Sequence, residues 1–162
     1  MLEFQPGDKA VYPGHGVAEV TGRESRDLGG IDTEGYLLQA LGKGMTLFVP
    51  MGNVERVGLR RLVDEEQVSQ VYDVLRRRDE KISTATWNRR HREYMEKIKT
   101  GSLLQIASVL RDLCILRSGK ELSYGEKNML ETARGLLVQE LALAKELSED
   151  DIASEIDKLF NP

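Results

Sequence analysis

The distribution of glycine and proline constrains this chain more than any other feature of its sequence. Eleven of its fifteen glycines and three of its four prolines fall within the first 60 residues. At that density they interrupt any long helix. What lies between them are short β-type runs. Residues 10–12 stop at Pro13-Gly14, and residues 16–21 can extend to Ser25. Residues 28–32 read as a turn and residues 36–41 as a third run. Gly42-Lys43-Gly44 is a tight hairpin signal, because glycine takes positive φ without penalty. Residues 45–49 form the return strand, ended by Pro50, and residues 54–57 are a candidate fifth strand. Five short strands in so few residues predict a small barrel with little core of its own.

From residue 62 onward the apolar spacing becomes helical. Asp64 is placed to cap a helix carrying Val68, Val71, Tyr72 and Leu75. Ser83-Thr84-Ala85-Thr86 is a turn with two possible N-caps. The next helix carries Trp87, His91, Tyr94, Met95 and Ile98 and stops at Thr100-Gly101. Ser102 with Gln105, and Ser123 with Glu126, are capping-box pairs that open two further helices. The first carries Leu103, Ile106, Ala107, Leu110, Leu113 and Cys114; the second, the longest, carries Met129, Leu130, Ala133, Leu136, Leu137, Leu141 and Ala144. Ser148 starts a last helix striped with Ile152, Ile156, Leu159 and Phe160. The fold class is therefore α+β in two domains. Residues 1–60 form a five-stranded β-barrel, and residues 61–162 a compact all-α bundle of about five helices.

Several chemistries find no support. The candidate metal ligands His15, His91 and Cys114 are far apart in sequence, with no HxxxH or CxxC spacing, so no metal is expected. Cys114 lies on an apolar stripe with Leu110 and Leu113, which suits a buried thiol better than a nucleophile. A lone cysteine also suits a reducing compartment, and the expected location is the cytoplasm. Gly14-His15-Gly16 lacks the third glycine and following helix of a dinucleotide site, and Gly119-Lys120 lacks the frame of a phosphate loop. No nucleophile, base and orienting group can be nominated together, so neither catalysis nor a cofactor is expected. No apolar run is long enough to span a bilayer, and no secretory signal is visible at the N-terminus.

Charge is distributed unevenly. The net charge is −4, yet residues 76–99 hold nine Lys/Arg against four Asp/Glu, a net of +5, leaving −9 elsewhere. An acidic protein with one concentrated basic segment suggests a localised anionic partner, although solvated helix faces also produce such runs. Within that segment the only tryptophan, Trp87, stands at a helix start beside Arg89, Arg90 and Arg92. A helix N-terminus presents free N–H groups to phosphate, and guanidinium forks match phosphate geometry. An indole there can act as a wedge in a minor groove or opened base step. The alternative is a core tryptophan covering the bundle; the polar turn before it argues against that. On the barrel, Tyr36, Leu38, Thr46 and Phe48 lie on two adjacent strands. They either face outward as an apolar docking patch or fill the barrel, and the sequence leaves both open.

The segment Phe4-x-x-Gly7-Asp8-x-x-Val11-Tyr12-Pro13-x-His15-Gly16-Val17 resembles the opening of the RNA polymerase interaction domain of the CarD family. Thr86-Trp87-Asn88-Arg89-Arg90, Met95-Glu96-Lys97-Ile98-Lys99-Thr100-Gly101, Val109-Leu110-Arg111-Asp112-Leu113 and Gly125-Glu126-Lys127-x-Met129-Leu130 resemble the helical half of its stand-alone members. The resemblance covers essentially the whole chain. It implies a Tudor/SH3-like barrel that docks on the β subunit of bacterial RNA polymerase. It further implies a helical domain that contacts promoter DNA at the upstream edge of the transcription bubble and stabilises the open complex, notably at ribosomal RNA promoters. Arg26 matches a basic polymerase-contacting position. Phe48 replaces arginine at a second one, which makes the contact here more apolar, and Pro50 follows as in the family. With Tyr36, these form the expected polymerase-binding set. Trp87 matches the family's minor-groove wedge, Arg89 and Arg90 match its phosphate contacts, and Asn88, Arg92 and Lys97 complete the expected DNA-binding set. The expected protein is a monomer without catalytic activity, reading DNA with weak sequence specificity and joining the nucleoid through polymerase. A helical protein–protein adaptor without DNA contact is the alternative.

Overall fold

A computed structural model describes residues 3–78, 82 and 85–161. The chain divides into two compact units, Met1–Leu62 and Val63–Pro162. The first contains β1 (Lys9–Tyr12), β2 (Gly16–Leu28), β3 (Ile31–Ala40), β4 (Thr46–Pro50), a 3-10 turn (Met51–Asn53), α1 (Val54–Val57) and β5 (Arg60–Arg61). The second contains α2 (Glu65–Arg76), α3 (Trp87–Lys99), α4 (Leu103–Gly119), α5 (Tyr124–Lys145) and α6 (Glu149–Phe160).

The five strands form one antiparallel sheet in the order β4-β3-β2-β1-β5. One face of it, with Ala10, Ala18, Val20, Tyr36, Leu38 and Val49, closes on Phe4, Val54 and Leu59. Gly7, at φ 94°, donates its N–H to Val20 O at 2.7 Å. That positive φ, free of penalty only for glycine, turns Phe4 into the core. β2 and β3 are longer than the sequence reading predicts. The expected turn at residues 28–32 contracts to Gly29-Gly30, both at positive φ, and β3 starts at Ile31 rather than Tyr36.

The predicted fifth strand is a correction. Residues 54–57 form the helical turn α1, and β5 is Arg60–Arg61 instead. The reason is facial. In a strand, residues three apart point to opposite faces, whereas one helical turn puts them on the same side. Val54 and Val57 both pack on the barrel core. Gly58, left-handed at φ 79°, ends the turn with its N–H on the Glu55 and Val54 carbonyls.

The helical unit follows its caps. Asp64 accepts from the Gln67 backbone N–H, and Gln67 returns the bond, as Ser123 and Glu126 do for α5. Ser102 and Ser148 accept from Gln105 N and Asp151 N. The α4 stripe of Leu103, Ile106, Ala107, Leu110 and Leu113 packs with Val71 and Leu75 of α2, Leu130, Leu137 and Leu141 of α5, and Ile152 and Ile156 of α6. Cys114 is buried there, and burial pushes its thiol up to about 11. It is therefore a packing residue rather than a nucleophile. Of the expected turn at residues 83–86, Ser83 and Thr84 lie outside the described residues, as do Asp79, Glu80 and Lys81 of the basic segment. Thr86 is the N-cap of α3, without a side-chain hydrogen bond.

Candidate functional site

Two surfaces carry the residues singled out above, one on each unit. On the barrel, strand pairing decides which side chains share a face. Tyr36 pairs with Val49 while Phe48 pairs with Leu37, so Tyr36 and Phe48 point to opposite sides of the sheet. Tyr36 is 1% exposed, its hydroxyl accepts the Phe4 N–H at 3.1 Å, and its ring meets Phe4 edge-on at 5.7 Å. The expectation that it docks polymerase is corrected: it fills the barrel core, as Leu38 does.

Phe48 lies on the outer face with Pro50, and Gly35 lies beside it on β3. A Cβ on Gly35 would sit 2.7 Å from Phe48 Cζ and 2.5 Å from the Val49 carbonyl oxygen. The missing side chain lets the ring lie across the strand. It reaches the Arg26 guanidinium of β2, 4.7 Å from the ring centroid. Arg26 Nε also donates to Glu24 Oε2 at 2.9 Å, and both side chains remain exposed. The result is a cation stacked on an aromatic, with donors still open to solvent. Gly35 was missed by sequence reasoning; its signal was a glycine inside a β run.

On the helical unit, Trp87 is the first residue of α3 and is partly buried against the helical core. Its position lies between the two sequence readings, neither a free wedge nor a core filler. A Cβ on Gly125 of α5 would fall 2.8 Å from Trp87 Nε1 and 3.1 Å from Cε2 and Cζ2. The indole therefore rests on bare backbone. His91 meets it edge-on at 5.4 Å, and the Arg90 guanidinium lies 5.3 Å from its centroid.

Arg90 departs from the phosphate contact expected of it. It is 8% exposed, and Nη2 donates to Glu126 Oε2 at 3.1 Å. Its helical spacing, three residues after Trp87 and four before buried Tyr94, already placed it on the inward stripe. Glu126 is 4% exposed and also accepts the Ser123 N–H at 2.9 Å. Burial alone raises the Glu126 carboxyl. The hydrogen bonds of Ser123 and Arg90, with Lys120 nearby, outweigh that and hold it below the usual carboxylate range. Asn88, Arg89 and Arg92 are exposed, Arg89 pairing with Glu93 across one turn at 3.4 Å. Lys97 is half-buried and donates to Ser108 Oγ at 3.2 Å. The outward cationic set of the first turns is thus Arg89 and Arg92, with Asn88 between them and Trp87.

The chain thus joins a β unit with an aromatic–arginine face to a helical unit with a propped tryptophan and exposed arginines. The chain belongs to the CarD family: the family model for the CarD-like/TRCF RID domain matches residues 4–63, and that for the CarD C-terminal domain matches residues 70–157. It is 28% identical over 151 residues to a Bacillus subtilis protein described as the putative transcription factor YdeB, covering 93% of this chain and 98% of that one. Two solved structures from Myxococcus xanthus are also similar. One is the N-terminal piece of CdnL, 43% identical, covering 40% of this chain and 92% of its own, with a TM-score of 0.34. The other is the 72-residue N-terminal domain of CarD, 28% identical, covering 38% and 81%, with a TM-score of 0.32.

Proposed function

We propose that this chain is a non-enzymatic transcription regulator that docks on the RNA polymerase β subunit through its barrel unit and on promoter DNA through α3. The outer face of Arg26, Phe48 and Pro50 meets polymerase. Trp87 enters the minor groove at the edge of the bubble while Asn88, Arg89 and Arg92 hold adjacent phosphates. The first turn of α3, whose N-cap Thr86 makes no side-chain capping bond, adds backbone N–H groups to that contact. The protein stabilises the open complex, ribosomal RNA promoters included, and acts as a cytoplasmic monomer. The observation that carries this reading is Trp87 itself, a partly buried indole fixed at a helix start with exposed cations on the same turns.

The energetics support a tethered mode of action. A chain of net charge −4 has weak intrinsic affinity for DNA. Anchoring on polymerase raises the local concentration of α3 near the promoter, on the order of millimolar for a short link, so a weak DNA contact suffices. The open state is favoured only by as much as α3 grips melted DNA better than closed duplex. The test is co-elution of the full chain with bacterial core RNA polymerase. Wild type co-elutes, Trp87→Ala co-elutes equally, and Arg26→Glu with Phe48→Ala weakens the complex by about tenfold or more, as loss of an aromatic–arginine contact does. Failure of the wild type to co-elute removes the polymerase reading and leaves the helical adaptor.

A further inference from the structure

The described surface of α3 offers Trp87 to a partner, but the residues that fix its indole come from α5. We propose that Gly125 and Glu126 are positioning residues for Trp87: Gly125 provides the bare backbone on which the indole rests, and Glu126 holds the Arg90 guanidinium across it. This rests on the DNA-contacting reading of Trp87 and extends it to residues that touch no DNA.

Three observations converge. The space of a Gly125 side chain is already occupied, with Trp87 Nε1 only 2.8 Å from where its Cβ would stand. Glu126 uses its two oxygens differently: Oε1 accepts the Ser123 N–H, the reciprocal bond of the α5 capping box, and Oε2 accepts Arg90 Nη2. The first bond serves the helix, and the second serves nothing in α5 itself. Arg90 in turn stacks near both Trp87 and Tyr94, at 5.3 and 5.7 Å. Its Nε is buried without a hydrogen-bond partner among the described residues. An orphaned buried donor is unfavourable. The guanidinium's place is therefore set by its stack and its bond to Glu126, not by full polar satisfaction. A wedge works only if it is rigid before it meets the base step, because ordering it at that moment would weaken the contact.

The division of labour within Glu126 makes the idea separable from folding. Glu126→Gln keeps an oxygen for the Ser123 N–H, since glutamine also closes a capping box, but loses the charge that holds Arg90. Ser123→Ala removes the cap and leaves the Arg90 bond. Gly125→Ala leaves a better helix former at that position, yet its Cβ displaces the indole. Trp87 is the only tryptophan, so its emission and its quenching by acrylamide report the indole alone. In the full chain, Glu126→Gln and Gly125→Ala raise acrylamide quenching, and Ser123→Ala does not. Bound to polymerase, the first two shorten open-complex lifetime about tenfold, in keeping with energetic coupling between touching residues. Ser123→Ala leaves that lifetime near wild type. Unchanged quenching in both Glu126→Gln and Gly125→Ala overturns the positioning role, whatever the lifetimes do. If quenching rises but neither these variants nor Trp87→Ala alters the lifetime, the DNA-contacting reading fails while the indole's support on α5 stands. Should Glu126→Gln not fold, Gly125→Ala carries the test.

Discussion

The two surfaces repeat one local arrangement. In each, an aromatic ring lies over a glycine and an arginine guanidinium stacks on the ring: Phe48, Gly35 and Arg26 on the sheet, and Trp87, Gly125 and Arg90 on the helices. The difference is where the arginine sends its charge. Arg26 pairs with an exposed Glu24 and keeps its donors in water, whereas Arg90 pairs with a buried Glu126 and is 8% exposed. The first arginine keeps its guanidinium at the surface. The second is committed to holding the ring. The glycines differ as well. A Gly35 Cβ would meet the Val49 carbonyl oxygen of a paired strand as well as the Phe48 ring, whereas the three atoms nearest a Gly125 Cβ all belong to the indole.

Truncating the two arginines separates their roles by the largest effect. Arg90→Ala leaves the Glu126 carboxylate buried without its guanidinium and lowers stability by about 3 kcal/mol. Arg26→Ala removes a solvent-exposed partner and changes stability by less than about 1 kcal/mol. Urea unfolding of the full chain measures both. Equal losses would mean that the two guanidiniums are alike after all.

The two glycines differ by a smaller margin. Gly35→Ala drives a Cβ against the Val49 carbonyl oxygen, which a paired strand cannot move cheaply, and destabilises by roughly 1–3 kcal/mol. Gly125→Ala meets a side chain that can swing, and stability shifts by less than about 1 kcal/mol in either direction. Thermal melts followed by circular dichroism distinguish these outcomes.

The smallest effect is on pH dependence. Glu126 titrates below its usual value of 4.5 when folded, so its pair contributes fully above that value. The contribution fades as pH falls through the depressed folded value. Glu126→Gln therefore flattens the acid limb of stability against pH below 4.5 relative to wild type. Unfolding midpoints from pH 3 to pH 7 read the difference.

What was legible in the sequence follows from range. Helix starts at Asp64, Ser102, Ser123 and Ser148 rest on bonds spanning three residues, so spacing alone placed them. The apolar stripes of α4, α5 and α6 likewise repeat within one turn. The side to which Tyr36 points is set by register across three strands. That register shifts between Val20 and Gly22, where Thr21 is left over and its hydroxyl donates to the Leu37 carbonyl. A one-residue shift exchanges faces, and alternation within β3 could not reveal it. Val54 and Val57 looked like a strand because both are β-branched; only the barrel core they cover made them a helical turn. Arg90 was grouped with Arg89 and Arg92 by adjacency, and its partner lies 36 residues away on another helix.

In the proposed function, Trp87 stabilises the open complex once the barrel has brought it to polymerase. The direct measurement is the lifetime of heparin-challenged open complexes on a ribosomal RNA promoter, with polymerase saturated by wild type or by Trp87→Ala. Wild type lengthens the lifetime, and Trp87→Ala, although bound to polymerase, leaves it at the value of polymerase alone. A Trp87→Ala protein that lengthens the lifetime as much as wild type would show that the indole plays no such role.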